Sequence, residues 1–281
     1  MKSNIRVSFC TDFSETANAA LEMILFNAWS FKIDIYIIHL LEDLTYKEAK
    51  QKLDALQTDL NHSICGSREV NVRIFEKGHK LELITHLNES NYFLNVVGLD
   101  GQGHTDGQGS FLKTLYQYLK GGLVVVPKNH EVSIENKLLI ALEYNNIERI
   151  HYLMKVRSFL YFNFSKLNIL IRVSDEVSLG DKEQTKEVIE DLFAGLECEI
   201  IFQSPKGCTE SMRRLFKEKK LNYTVVFKGD YFDNHFIDVM SKRTKCIQPK
   251  EMLLRVCTAK RIISAIKENQ EGVEKMELRD F

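Results

Sequence analysis

Hydrophobic and polar positions near the start of the chain follow two different repeat lengths. Residues 5–10 alternate between apolar and polar side chains and lead directly into the polar stretch 11–14. Apolar residues then recur at helical spacing from Ala17 to Ala28. This order predicts a buried strand, a polar turn and an amphipathic helix that packs back onto the sheet.

The same alternation of strand and helix patterns continues to residue 126. Further strands are predicted at residues 33–41, 70–74, 93–97 and 123–126, and further helices at residues 49–60, 81–87 and 111–120. Each crossover helix returns the chain to the same edge, so the five strands predict a parallel, doubly wound sheet.

The second half of the chain repeats this order of elements with little sequence identity. Strands are predicted at residues 138–142, 167–173, 199–202, 223–227 and near 246–248, and helices at residues 147–161, 188–193, 212–216 and 237–240. The stretch 246–250 repeats the pattern of residues 124–128, in which a strand ends in Pro-Lys. The predicted fold class is therefore α/β, with two tandem doubly wound five-stranded parallel-sheet domains.

The predicted domains span residues 1–130 and 135–268, with a boundary near 129–136. Residues 251–268 carry apolar side chains at helical spacing and predict an added helix, and residues 269–281 predict a charged tail.

Composition narrows the class of protein. Hydrophobic residues make up 44% and charged residues 27% of the 281 residues, which is typical of a globular protein. The 38 basic and 39 acidic residues nearly balance, so no net field favours nucleic acid or an anionic membrane as partner. The six cysteines form no Cys-x-x-Cys pair, and no apolar run approaches the ~20 residues of a membrane span. We expect a reduced, cytoplasmic protein.

A glycine-rich loop spans residues 98–109, between a predicted strand and a predicted helix. Backbone amides of glycines can approach phosphate oxygens because no side chain intervenes. The helix that begins near Ser110 adds free N–H groups and a favourable dipole for an anion. The loop therefore predicts a site for a phosphate-bearing ligand.

Two motifs resemble the universal stress protein family. Residues 11–17, with Ala20 and Leu21, resemble the start of such a domain. Gly98-x2-Gly101 and Gly109-Ser110 resemble the Gly-x2-Gly-x9-Gly-Ser/Thr pattern of the members that bind ATP, although seven residues rather than nine separate the two parts. The resemblance implies a Rossmann-like fold related to the adenine-nucleotide α-hydrolases, with ATP, accompanied by Mg²⁺, in the first domain only.

The resemblance also assigns roles to individual residues. Asp12 would lie near ribose or adenine, Thr11 would border the nucleotide and Leu40 would flank adenine. The remaining residues would line the ribose and the phosphates, and they are Val97, Gly98, Gly101, Gly109, Ser110 and Phe111. A structural role stays open for several of them, because Asp12 has capping-box spacing to Glu15, with Ser14 as a competing N-cap, Leu40 suits a core, and the glycines suit a plain hairpin.

The second domain lacks these features. Glu143-Tyr144 stands where the first domain has Thr11-Asp12, and Gly229 is the one glycine between the fourth predicted strand and the next predicted helix. We expect this domain to be architectural and to pair with the first domain within the chain. A homodimer and an unidentified protein partner stay open.

Motifs for catalysis are missing from the sequence. It holds no Gly-x-Ser-x-Gly, His-Glu-x-x-His or Walker A pattern, and His104 and Asp106 have no third metal ligand nearby in the sequence. We therefore expect a non-catalytic, nucleotide-responsive regulator of the stress response. The alternatives are a ligand-free interaction module and a protein that binds a mono- or diphosphate.

Overall fold

The computed structural model of the chain contains two compact units, divided between Val132 and Ser133. It describes residues 5–28, 33–63, 69–99, 110–126, 137–156, 164, 166–219, 221, 223–233 and 252–256. The predicted limits of the two domains and the predicted tail lie outside these residues and stay predictions. No helix in the described ranges is long and apolar enough to cross a membrane.

The first unit alternates strands and helices as its apolar pattern predicts. Its strands are β1 (Ile5–Cys10), β2 (Ile33–Leu40), β3 (Val70–Phe75), β4 (Leu94–Gly98) and β5 (Gly122–Val126), and its helices are α1 (Glu15–Ala28), α2 (Tyr46–Ser63), α3 (Lys80–Glu89) and α4 (Ser110–Tyr118). Neighbouring strands are parallel in the order β3-β2-β1-β4-β5. The predicted doubly wound sheet is confirmed, and its order reverses between β1 and β4.

The sheet of the first unit is apolar on both faces because helices cover both of them. Ile37 and Ile38 of β2 point to opposite faces of the sheet, and both are buried. One buried polar side chain, Asn95 of β4, has partners on both neighbouring strands. Its Oδ1 accepts a hydrogen bond from Ser8 Oγ at 2.7 Å, and its Nδ2 donates to the Gly122 carbonyl at 3.0 Å. These bonds hold β1, β4 and β5 together in the core.

The second unit repeats the topology of the first. Its strands are β6 (Lys137–Glu143), β7 (Lys166–Arg172), β8 (Glu197–Gln203), β9 (Tyr223–Phe227) and β10 (Met252–Val256), and its α-helices are α5 (Leu179–Leu192) and α6 (Cys208–Lys219). All neighbouring strands are parallel, in the order β8-β7-β6-β9-β10. The predicted fold class is therefore confirmed in this unit too.

Two predicted elements of the second unit are wrong. The helix predicted at residues 147–161 is a 3₁₀ segment over Tyr144–Val156, with a non-helical residue at Asn146. The helix predicted at residues 251–268 is contradicted by β10, in which Met252 pairs with Tyr223 of β9. A short apolar run fits either structure, and pairing with β9 decides in favour of the strand. The strand predicted near residues 246–248 lies outside the described residues.

Candidate functional site

The carboxyl ends of three strands meet at one edge of the first sheet. Cys10, the last residue of β1, pairs with Ile38 of β2 and with Val97 of β4. The turn that follows β1 therefore lies between the ends of β2 and β4. This is the position where the strand order reverses, and open α/β sheets bind their ligands there.

The turn at residues 11–14 is held in shape by its own side chains. The Thr11 amide donates to the Ile38 carbonyl at 2.9 Å, and Thr11 Oγ1 accepts from the Phe13 amide at 3.0 Å. Asp12 Oδ1 accepts from the Ser14 amide, also at 3.0 Å. Phe13 has a φ of +63°, a left-handed conformation that bulky residues rarely adopt. The hydrogen bonds on either side of it hold this conformation in place.

Ser14 is the N-cap of α1. The helix begins at Glu15, and Ser14 Oγ accepts a hydrogen bond from the Ala17 amide at 3.2 Å. Of the two candidates for the cap, the structure therefore favours Ser14 over Asp12. The Asp12 carboxylate lies just ahead of the helix, where the positive end of the helix dipole stabilises a negative charge.

We expect Ser14→Ala to destabilise the first unit by about 1 kcal/mol, because it removes the acceptor for the Ala17 amide. Ser14→Asp retains an acceptor and should cost less. Urea unfolding, with hydrogen exchange of peptides from α1, measures both variants. An equal loss in Ser14→Ala and Asp12→Ala would show that the cap is shared.

His39 is a buried histidine beside this turn. Its Nδ1 lies 2.8 Å from the Thr11 carbonyl, which can only accept, so Nδ1 carries the proton. Burial lowers the pKa of His39, so the ring is neutral, and it packs against the Phe13 ring at 4.8 Å between centroids. Nε2 has no hydrogen-bond partner within the described part of the chain. His39 therefore makes a structural bond to the backbone, and the described residues hold no group of three or more side chains that could bind a metal ion.

Gly98 allows α1 to lie directly on the end of β4. A Cβ atom at this position would lie 2.6 Å from Thr16 Oγ1, 2.7 Å from the Thr16 carbonyl carbon and 2.8 Å from the Ala17 amide nitrogen. Any side chain would therefore push the first turn of α1 away from the sheet. The need for glycine here comes from helix packing, a reason that the loop motif alone does not reveal.

Most of the predicted site residues in the described ranges gather at this edge. Thr11 and Val97 are buried, whereas Asp12 and Leu40 are half-buried. Ser110 is the first residue of α4, as predicted, and the half-buried Phe111 follows it. Gly101 and Gly109 lie outside the described residues, so the convergence of their amides stays a prediction.

Strand register identifies the equivalent positions in the second unit. Ala141 pairs with Leu170 and Val226, just as Cys10 pairs with Ile38 and Val97. Counting from these pairs, the second unit replaces three residues of the first: Asp12 by Glu143, Leu40 by Arg172, and Gly98 by Phe227. The sequence alignment of Glu143-Tyr144 with Thr11-Asp12 is thus shifted by one residue, because it relied on the polar pattern rather than on pairing.

Side chains fill this edge of the second unit. Arg172 Nη1 forms an ion pair with Glu143 Oε1, and the guanidinium carbon of Arg172 lies 4.3 Å from the centroid of the Tyr231 ring. The Tyr231 amide donates to Glu143 Oε2 at 3.2 Å, and Asp230 Oδ2 accepts from the Glu143 amide at 3.1 Å. The sequence analysis missed this cluster. A charged residue at the end of each of two buried strands was the available signal.

Comparison with known proteins gives matches at the level of structure. No family model and no curated protein sequence match the chain. A universal stress protein from Archaeoglobus fulgidus matches 92% of this chain and 100% of its own, with a TM-score of 0.66 and 13% identity. A candidate universal stress protein from Pseudomonas aeruginosa matches 96% and 99%, with a TM-score of 0.65 and 10% identity. The chain therefore has the universal stress protein fold across both units.

Proposed function

We propose that the chain is a universal stress protein that binds ATP in its first unit and acts as a non-catalytic, cytoplasmic regulator in the stress response. The observation that supports this most directly is the turn at residues 11–14, which lies at the reversal point of a sheet with this fold. A ligand at that point meets the polar Asp12 side chain and two helix N-termini rather than a closed core.

The residues at this edge fit a nucleotide in two respects. Gly98 lets the first turn of α1 lie directly against the end of β4, which brings the N-terminus of that helix to the reversal point. α4 begins at Ser110, and the first amides of a helix have no partner within the helix and can donate to phosphate oxygens. When bound, ATP would supply a change of charge and shape at this edge rather than a reaction.

The second unit supports an architectural role by contrast. Its equivalent edge is occupied by the Glu143–Arg172 ion pair, and Phe227 replaces the glycine that ends β4. We propose that nucleotide binds at one site per chain. We also propose that the two units pair within the chain. A homodimer and an unidentified protein partner are the alternatives that stay open.

Calorimetric titration with ATP, with and without Mg²⁺, tests the proposal. We expect one ATP per chain and at least a tenfold weaker affinity in Asp12→Ala, because this half-buried carboxylate belongs to the turn at the reversal point. Asp175→Ala, which removes an exposed carboxylate from the second unit, is the control and should bind like the parent. Absence of heat with ATP, ADP and AMP would favour a ligand-free interaction module.

The loop has its own arm of the experiment. Gly109→Val should abolish binding while leaving the urea unfolding curve unchanged, since a branched side chain would block approach of the backbone to phosphate. Tighter binding of ADP or AMP than of ATP would instead point to the mono- or diphosphate alternative. Unchanged affinity for ATP in this variant would exclude the loop as the phosphate site.

A further inference from the structure

Two carboxyl groups and one guanidinium meet at the carboxyl edge of the second sheet. The Glu143 carboxylate has the Arg172 guanidinium on one oxygen and the Tyr231 amide on the other. Asp230 is fully buried, and its Oδ2 accepts from the Glu143 amide. Its Oδ1 has no hydrogen-bond partner in the described ranges, and no ion pair there involves Asp230.

Other polar groups around the pair are already bonded to the backbone or are neutral. Arg149, from the 3₁₀ segment, donates to the Lys228 carbonyl at 3.2 Å. Asp233 Oδ2 accepts from the Gly229 amide at 2.8 Å. Burial raises the pKa of the Cys208 thiol, on α6, to about 11, so it is uncharged. Among the described residues, the cation paired with this cluster is Arg172, through Glu143.

This arrangement has room for one negative charge but not for two. Arg172 balances the charge of Glu143, so a second ionised carboxylate would remain buried without a counter-ion. A proton on Asp230 removes that charge. It also makes Asp230 a donor, and the neighbouring Glu143 carboxyl group can accept from it.

We propose that Asp230 and Glu143 hold one proton between them, and that loss of this proton loosens residues 228–233, which follow β9. Two hydrogen bonds join these residues to β6, and both involve the pair: Glu143 amide to Asp230, and Tyr231 amide to Glu143. Repulsion between two carboxylates acts against both bonds at once. The second unit thereby responds to protons at the carboxyl edge of its own sheet. This edge is equivalent to the one at which the first unit is proposed to bind nucleotide.

The direction of the pH dependence follows from the environment of Asp230. Burial, and then the neighbouring Glu143 carboxyl group, raise the pKa of Asp230 from 3.8 to about 6. The folded state therefore binds this proton more tightly than the unfolded state. The stabilising effect is complete below the unfolded pKa and is lost as the pH rises through the folded pKa. Residues 228–233 should be held more firmly at pH 5 than at pH 7.5.

Hydrogen exchange of the full chain at pH 5.0 and pH 7.5, corrected for intrinsic exchange rates, tests the proposal. We expect protection of peptides covering residues 228–233 to fall about tenfold at the higher pH. The reason is that pH 5.0 lies one unit below the Asp230 pKa of about 6, and one pKa unit corresponds to a tenfold change. Peptides from β8 serve as the internal reference. Unchanged protection of residues 228–233 across this range would overturn the proposal.

Two variants separate this proton from others nearby. Asp230→Asn mimics the protonated carboxyl group. The side-chain oxygen of the asparagine can accept from the Glu143 amide in place of Asp230 Oδ2, and its Nδ2 can donate to the Glu143 carboxylate. Protection in this variant should not depend on pH. Asp233→Asn removes a charge from the same segment and should keep the parental dependence. The proton would be assigned elsewhere if protection of residues 228–233 became independent of pH in Asp233→Asn, or if it stayed dependent on pH in Asp230→Asn.

Glu143→Gln provides a further arm should Asp230→Asn fail to fold. With Glu143 neutral, Arg172 can compensate an ionised Asp230, so the fall in protection should disappear between pH 5.0 and pH 7.5. Persistence of the fall in this variant would contradict a shared proton. These measurements use no nucleotide, so they are independent of the proposed ATP site.

Discussion

Gly98→Ala is expected to destabilise the first unit by about 3 kcal/mol, the upper part of the range for inserting a group into a packed site. The cost arises at the first carbon of the side chain, because a Cβ atom would lie within 2.8 Å of three atoms in the first turn of α1. Two of these atoms belong to the backbone and cannot rotate away. Gly98→Val should cost at least as much as Gly98→Ala, because its two methyl groups extend beyond the Cβ atom.

Gly180→Ala is the matched control for this experiment. Gly180 lies in the first turn of α5, and the nearest atom to its added Cβ is Ser178 Oγ at 3.9 Å. Alanine there should be neutral or stabilise the second unit by up to about 1 kcal/mol, since glycine is a poor helix former. Urea unfolding followed by hydrogen exchange in peptides from each unit separates the two effects. Equal stability of Gly98→Ala and the parent would show that α1 can shift without loss.

Arg172→Met is expected to destabilise the second unit by about 2–3 kcal/mol at pH 8, somewhat less than for a fully buried pair. The variant keeps an apolar stem for Tyr231 but leaves the Glu143 carboxylate without its cation, next to the buried Asp230. At pH 5 Asp230 carries a proton and adds no second buried charge, so the loss should be smaller. The free energy of unfolding of this unit, measured at both pH values, tests this.

Lys186→Met provides the comparison with an ordinary surface pair. Lys186 and Glu190 lie 3.7 Å apart on α5 and are both exposed. Removing this lysine should change stability by less than about 0.5 kcal/mol at either pH. A loss in Arg172→Met that is the same at pH 5 and pH 8 would mean that packing of the arginine stem, rather than charge, stabilises the edge.

Local patterns were sufficient for the fold of the first unit. The long apolar run of β2 and the helical spacing of apolar residues in α1 can each be read within a short stretch of sequence. A strand that is covered by helices on both faces needs apolar residues at every position. The same reasoning failed at β10, where four apolar residues in a run of five fit a strand or a helix equally well. Pairing with Tyr223–Phe227, some thirty residues earlier, decides that element.

The location of the candidate site was predictable from the sequence, but the packing and hydrogen bonds that shape it were not. A polar turn after the first strand was sufficient to place Thr11 and Asp12 at the sheet edge. The close approach of α1 to Gly98, and the choice of Ser14 as cap, depend on distances of a few tenths of an ångström. The Glu143–Arg172 pair joins residues 29 positions apart, and the charged residues that end these two strands do not by themselves show that their side chains meet.

Replacement of Asp12, Leu40 and Gly98 by Glu143, Arg172 and Phe227 has a consequence for how the two units can diverge. Restoring leucine at position 172 alone would strand the Glu143 carboxylate, and restoring glycine at position 227 alone would empty a filled core position. Each single step back therefore passes through a less stable protein. Stability alone thus keeps the two edges different in sequence, because converting one into the other requires several simultaneous substitutions.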